Sequence, residues 1–229
     1  MRVAIIQPHF LPFVGYFDLM NRADLFVYYD TVQFVRRSWH SRTYITEKGQ
    51  ARWLSAPVRT TAGSRRPLST MHWADDQPWR AKMVRRLNQL YKNCAEPHLL
   101  REILQLIRLG SANITDWNIQ ANALLAAMLN IRTGTLRAST LPPLTGDKQQ
   151  RIIQMCRKLG ATKYLCGPGS RNYVREADFA EFQIEVEWLD YDYEHWAITP
   201  DGTKILPSII DYIFRRGLTS TFNSFTDAR

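Results

Sequence analysis

The sequence predicts an α/β protein: a parallel sheet flanked by helices, with a helical insert in the middle. Three observations carry that expectation. First, a short apolar run at residues 3–6 stops at Gln7-Pro8, residues 16–22 turn helical, and a second apolar run, LFVYYD, begins at Leu25. Strand, loop, short helix and strand is how a parallel sheet opens, because parallel neighbours need a crossover between them. Second, the same alternation returns late in the chain, with a helix at 148–159, a strand at 163–166, a helix at 175–182 and the strand IEVEWL. Third, residues 77–129 carry helical periodicity in three amphipathic segments, at 77–92, 96–109 and 113–129, which read as an insert or cap on the sheet.

The remaining elements fit around these. Residues 8–15 are punctuated by Pro8, Pro12 and Gly15 and read as a turn-rich loop. Residues 43–45 and 53–58 read as strands around a KGQ turn, and residues 60–67 as a basic loop. The last helix, at 208–216, ends at Gly217 and has Arg215 and Arg216 in its final turn, where cations suit the negative end of the helix dipole. Residues 219–229 read as a loose tail. At 229 residues the whole, 1–229, is expected to form one domain.

Composition narrows the class. Hydrophobic residues make up 45% of the chain, enough for a real core, so a disordered chain is excluded. Cys94, Cys156 and Cys166 have no metal-ligand spacing and read as reduced thiols of a cytoplasmic protein. The opening MRVAIIQPHF has no signal-peptide pattern, and no membrane span is expected. Phosphate-loop, dinucleotide-binding, nucleophile-elbow and zinc motifs do not occur. The net charge of +9 favours anionic partners. Arg36, Arg37, Arg42, Arg59, Arg65 and Arg66 all fall in one region, which fits a local anionic ligand better than a nucleic-acid arm.

Candidate site residues concentrate in the same region. Open α/β sheets bind ligands beyond the carboxyl ends of their strands. Gln7, His9, Gly15 and Tyr16 follow the first strand, Asp30 ends the second, and Gln33, Trp39, His40 and Arg42 come next. Gly15 permits close backbone approach at a helix start, a position suited to phosphate or carboxylate. Gly167 and Gly169 of a GPGS loop follow a later strand, and Asp211 lies on the last helix. Each has a plainer reading: Asp30 as a turn residue, His9 as a surface imidazole, the arginines as a solvated face, Asp211 as a salt-bridge partner.

The run Gln7-Pro8, Leu11-Pro12, Gly15-Tyr16-Phe17, Asp24, Val27, Asp30, Val32-Gln33-Phe34, Trp39, Arg42 and Ile45 resembles the WbqC-like family. The likeness continues at Trp53-Leu54-Ser55 and Pro57-Val58, at Tyr164-Leu165, Gly167-Pro168-Gly169 and Tyr173, and at Pro207 to Asp211 and Gly217. Ser41 departs from the asparagine that the family often has before the arginine. The resemblance implies a role in O-antigen or other surface-glycan biosynthesis, with transfer of glycine to an amino sugar as the suggested chemistry. The start of the chain is also similar to HIGH-type nucleotidyltransferases and pantothenate synthetase, a HUP-like beginning. The matching stretch, Phe13-Val14-Gly15-Tyr16, lacks both their histidines.

These readings converge on an acyl transferase or ligase, glycyl or aminoacyl, that forms an amide on an amino sugar nucleotide or a similar small amine. His9, Asp30 and Tyr16 are its expected catalytic residues. Gln7, Gly15, Gln33, Trp39, Arg42, Gly167, Gly169 and Asp211 are its expected substrate contacts. Two donor routes stay open: ATP with Mg activating a carboxylate, or an acyl group already activated, with aminoacyl-tRNA as one source. A non-catalytic nucleotide- or tRNA-binding protein and a nucleotidyltransferase are the competing readings.

Overall fold

A computed structural model describes residues 1–60, 66–189, 197–198 and 203–219. They gather into two compact units. The first takes the described residues of Met1–Gln7, Gly15–Thr31 and Ile131–Tyr191, and the second those of Pro8–Val14, Val32–Asn130 and Asp192–Arg229.

The first unit holds the parallel sheet. Its strands are β1 (Arg2–Ile6), β2 (Leu25–Tyr28), β5 (Gly134–Arg137), β6 (Lys163–Cys166) and β7 (Glu185–Trp188), in the spatial order β5-β2-β1-β6-β7. Every neighbouring pair is parallel. The order runs outward from β1 in both directions, so it reverses between β1 and β6. That is the switch point of a doubly wound sheet. Strands buried on both faces read as continuous apolar runs, which is why β1 and β2 were recognisable. Helix α1 (Val14–Arg22) lays Tyr16 edge-on to Phe26 of β2, ring centroids 5.4 Å apart. Helix α5 (Lys148–Lys158) opens with a capping box between Asp147 and Gln150. Helix α6 (Glu176–Ala180) packs through Phe179, stacked on Tyr164 of β6 at 5.2 Å. The fold class is therefore as expected. Strand β5 was not expected: its sequence, GTLR, carries one large apolar residue, because as an edge strand it pairs only with β2.

The second unit combines a hairpin with helices. Strands β3 (Arg42–Glu47) and β4 (Gln50–Ser55) are antiparallel and joined by Lys48 and Gly49, both at positive φ, 52° and 76°. Two central residues at positive φ match the right-handed twist of the flanking strands. Pairing thus starts directly after the turn and stops at Ser55, rather than over 53–58. Helices α2 (Trp79–Leu90), α3 (Pro97–Leu109) and α4 (Ile114–Met128) lie inside the three expected segments. Their core centres on Phe10, stacked on Trp117 at 5.0 Å and edge-on to Trp73 at 5.8 Å. Gly110 ends α3 because a Cβ there would stand 2.5 Å from the Leu106 carbonyl and 2.7 Å from Trp117. Helix α7 (Ile209–Arg216) stops at Gly217, φ 85°. The basic loop is described except for 61–65, which includes Arg65; of the tail, residues 220–229 lie outside the described residues. Among the described residues no helix is long and apolar enough to cross a membrane.

Candidate functional site

The expected site residues divide between the units. Gln7, Gly15, Tyr16, Asp30, Gly167 and Gly169 belong to the first, and His9, Gln33, Trp39, Arg42 and Asp211 to the second.

At the carboxyl edge of the sheet, the side chains of Asp30 and Tyr16 are taken up locally, while the buried Tyr29 hydroxyl has no hydrogen-bond partner among the described residues. Asp30, 1% exposed, accepts from the Ser139 N–H at 2.9 Å and from the Ser139 hydroxyl at 2.6 Å, tying the segment after β2 to the segment after β5. Tyr16 is buried and its hydroxyl donates to the Gln7 carbonyl at 3.2 Å. Gly15 lies within the first turn of α1. Gly167 and Gly169 flank a 3-10 turn in which the Ser170 and Tyr173 hydroxyls are 2.7 Å apart. A Cβ at Gly169 would meet no atom within 4 Å, so packing does not require that glycine. Burial pushes the thiols of Cys156 and Cys166 up to about 12, which removes both as nucleophiles at neutral pH.

The second unit presents a different surface. An open cavity of about 690 Å³ is lined by Arg36, Arg37 and Arg42 together with Phe34, Trp53, Ser55 and Thr60. Arg42 opens β3, and its guanidinium lies over the Trp53 ring, 3.9 Å from the centroid. Stacking of that kind fixes the guanidinium plane and leaves its in-plane N–H groups to meet an acceptor. Arg36 donates to the Thr60 hydroxyl at 3.0 Å. Arg37 sits in the left-handed region, φ 54°. Among the described residues none of the three meets a carboxylate, whereas Arg2, Arg22, Arg80, Arg86 and Arg215 each do. Trp53 is stacked on its other face by Tyr44 at 3.7 Å, and Trp39, 44% exposed, leans on both rings at 5.7 and 6.1 Å.

Behind the cavity wall lies a pair of imidazoles. His40 packs on Phe34, centroids 5.8 Å apart, and burial lowers its pKa to about 4. Burial lowers His9 to about 3, and the neighbouring His40 adds to the effect, so both rings are neutral at physiological pH. Asn118 of α4 secures this corner by donating to the carbonyls of Pro8 at 3.0 Å and His40 at 2.9 Å. Gln33 is exposed and bridges the backbone of Pro67. Asp211 lies apart from the cavity lining, buried, accepting from Tyr91 at 2.5 Å and Arg215 at 3.2 Å. Sequence reading missed Trp53, Thr60 and Asn118 as site residues; Asn118 shares the buried face of α4 with Thr115 and Asn122, so its type alone did not single it out.

A doubly wound sheet in one unit and an arginine- and tryptophan-lined cavity in the other define an α/β protein. The chain belongs to the WbqC-like protein family, which it matches over residues 7–221. It is also similar to a protein of Mycobacterium tuberculosis (strain ATCC 25618 / H37Rv) described as uncharacterized protein Rv1507c, 30% identical over 219 residues, covering 94% of each chain. No solved structure matches it.

Proposed function

We propose that the protein is a biosynthetic acyl transferase or ligase of surface-glycan or related metabolism, forming an amide on an amino sugar or similar small amine that carries an anionic group. The observation that carries this reading is the set of three arginines around an aromatic-walled cavity with no carboxylate neutralising them among the described residues. Such a set holds phosphate or carboxylate oxygens by charge-assisted hydrogen bonds. In the reaction the amine attacks the activated acyl carbon, the C–N bond forms, the bond to the activating group breaks, and the ammonium proton passes to a base. His9 is the base this reading favours. It is neutral at physiological pH, while the Asp30 carboxylate already serves Ser139. A pKa near 3 makes a weak base, and an anion bound nearby raises it.

The test is direct. Purified protein is incubated with an amino-sugar nucleotide and glycine plus ATP·Mg, or with glycyl-tRNA in place of both, and the product mass is read. An amide that forms under either condition, and is lost in Arg42→Ala, supports the proposal. An amide under neither condition removes the activity. Pyrophosphate release with no amide would instead indicate nucleotidyl transfer.

A further inference from the structure

We infer that the anion held by the three arginines is the diphosphate of a nucleotide, and that Trp39 is the platform on which its base stacks. This rests on the anion-binding reading just given and deepens it. Trp53, the indole in the cavity wall, has both faces engaged, by Tyr44 at 3.7 Å and by the Arg42 guanidinium at 3.9 Å, and Trp39 lies next to it, outside the lining. Trp39 touches Trp53 at 5.7 Å, yet 44% of it remains exposed, and it is the one exposed tryptophan among the described residues. The backbone that carries it is held on both sides, and its ring rests against Trp53 and Tyr44. Its carbonyl accepts from the Phe10 N–H at 2.8 Å, and the preceding Ser38 hydroxyl donates to the Val35 carbonyl at 2.7 Å. An indole kept in place with open ring surface suits a flat, uncharged π system.

The two features together select the ligand. Three guanidiniums exceed what the charge of about −2 on one phosphate monoester requires, so a diphosphate is the better match. A sugar phosphate would use the arginines and leave the indole unused. A nucleic-acid strand would use the indole, but it needs a basic track along successive phosphates rather than one concave cavity of about 690 Å³. A nucleoside diphosphate, with or without a sugar attached, uses both.

Calorimetric titration with UDP, ADP, inorganic pyrophosphate and uridine, at fixed pH and moderate salt, separates the parts. UDP or ADP is expected to bind at least about fivefold tighter than pyrophosphate, the low end of what base stacking on an aromatic side chain contributes. In Trp39→Ala that advantage disappears while pyrophosphate affinity is retained; in Arg42→Ala all the anions weaken and the advantage over pyrophosphate persists. Equal affinity for pyrophosphate and both nucleotides overturns the platform but leaves the anion site standing, as does a Trp39→Ala variant that weakens all ligands alike. Binding of none of them overturns the anion reading as well. Bulk tRNA that binds tighter than either nucleotide, with affinity collapsing as salt rises, overturns the inference in favour of RNA.

Discussion

At the carboxyl edge of the parallel sheet, Asp30 is 1% exposed and both its oxygens accept from Ser139. The Tyr16 hydroxyl there donates to the Gln7 carbonyl, and the α5 N-terminus is closed by its own capping box. Beside the hairpin, Arg36, Arg37 and Arg42 surround a cavity with no carboxylate among the described residues, and Trp39 keeps 44% of its surface exposed. Asp30 and Tyr16 in the first region have their polar groups satisfied internally, as most buried polar groups are. The second leaves cations and ring surface available to something else. Polar residues in a row after a strand look alike in sequence, and the difference between structural and ligand-directed ones lies in whether their partners are already present.

The largest expected effect tests that difference from the structural side. Asp30→Ala removes two hydrogen bonds to a charged group and leaves the Ser139 N–H unmatched, a loss of about 3 kcal/mol of folding stability. Chemical denaturation measures it, and anion affinity per folded molecule should be unchanged. A stable Asp30→Ala variant that has lost ligand affinity would reverse the comparison and move the site to the sheet edge. Arg42→Ala is the counterpart. It should weaken anion binding by about 2 kcal/mol, or roughly thirtyfold, as expected for a charge-assisted hydrogen bond, with stability changed far less. Loss of stability comparable to the loss of binding would make Arg42 a structural residue stacked on Trp53 and nothing more.

The imidazole pair gives the next effect. His9 and His40 are lowered from 6.5 to about 3 and about 4, so between pH 6.5 and about 4 the unfolded chain binds protons that the folded protein does not. Stability is therefore full above pH 6.5 and falls as the pH drops, by about 1.4 kcal/mol per pH unit for each ring. His40→Gln should remove one ring's share of that slope between pH 6.5 and 5. Identical slopes in the variant and the natural protein would show that His40 is not held neutral by burial.

Much of this architecture was readable before any coordinates. β1 and β6 are compact apolar runs ended by Pro or Gly, Lys48-Gly49 announces the hairpin turn, and the spacing of Leu99, Leu100, Ile103, Leu104 and Ile107 marks α3. These signals are local, within one element or turn. What could not be read depends on partners far along the chain. Strand β5 exists because β2 lends it a ladder, not because GTLR favours extension. Asp30 was visible as an acid at a strand end, but its partner Ser139 is 109 residues away, and nothing in the segment around Asp30 tells a satisfied carboxylate from an available one. The arginines were visible as a cluster, while the Trp53, Ser55 and Thr60 side of their cavity comes from the other strand of the hairpin and the loop beyond it. Asn118 is concealed most completely, since its two carbonyl partners lie 110 and 78 residues away.

Arg37 offers the smallest effect and the finest distinction between the two regions. Its φ of 54° is a conformation that costs a side-chain-bearing residue of order 1 kcal/mol and costs glycine almost nothing. Lys48 has a similar φ of 52°, but there the two-residue turn dictates it. Arg37 also lies in a turn, at residues 36–37, but unlike Lys48 it lines the cavity as well. If the strain is retained because it directs the guanidinium to a ligand, then Arg37→Gly should raise stability by about 0.5–1 kcal/mol while weakening anion binding severalfold. Arg37→Asn, which tolerates the same backbone, should weaken binding to a similar extent, assigning the loss to the missing charge rather than to a loosened loop. Were Arg37→Gly to lower stability and leave binding intact, the arginine would belong with Asp30, among residues whose partners are already supplied by the fold.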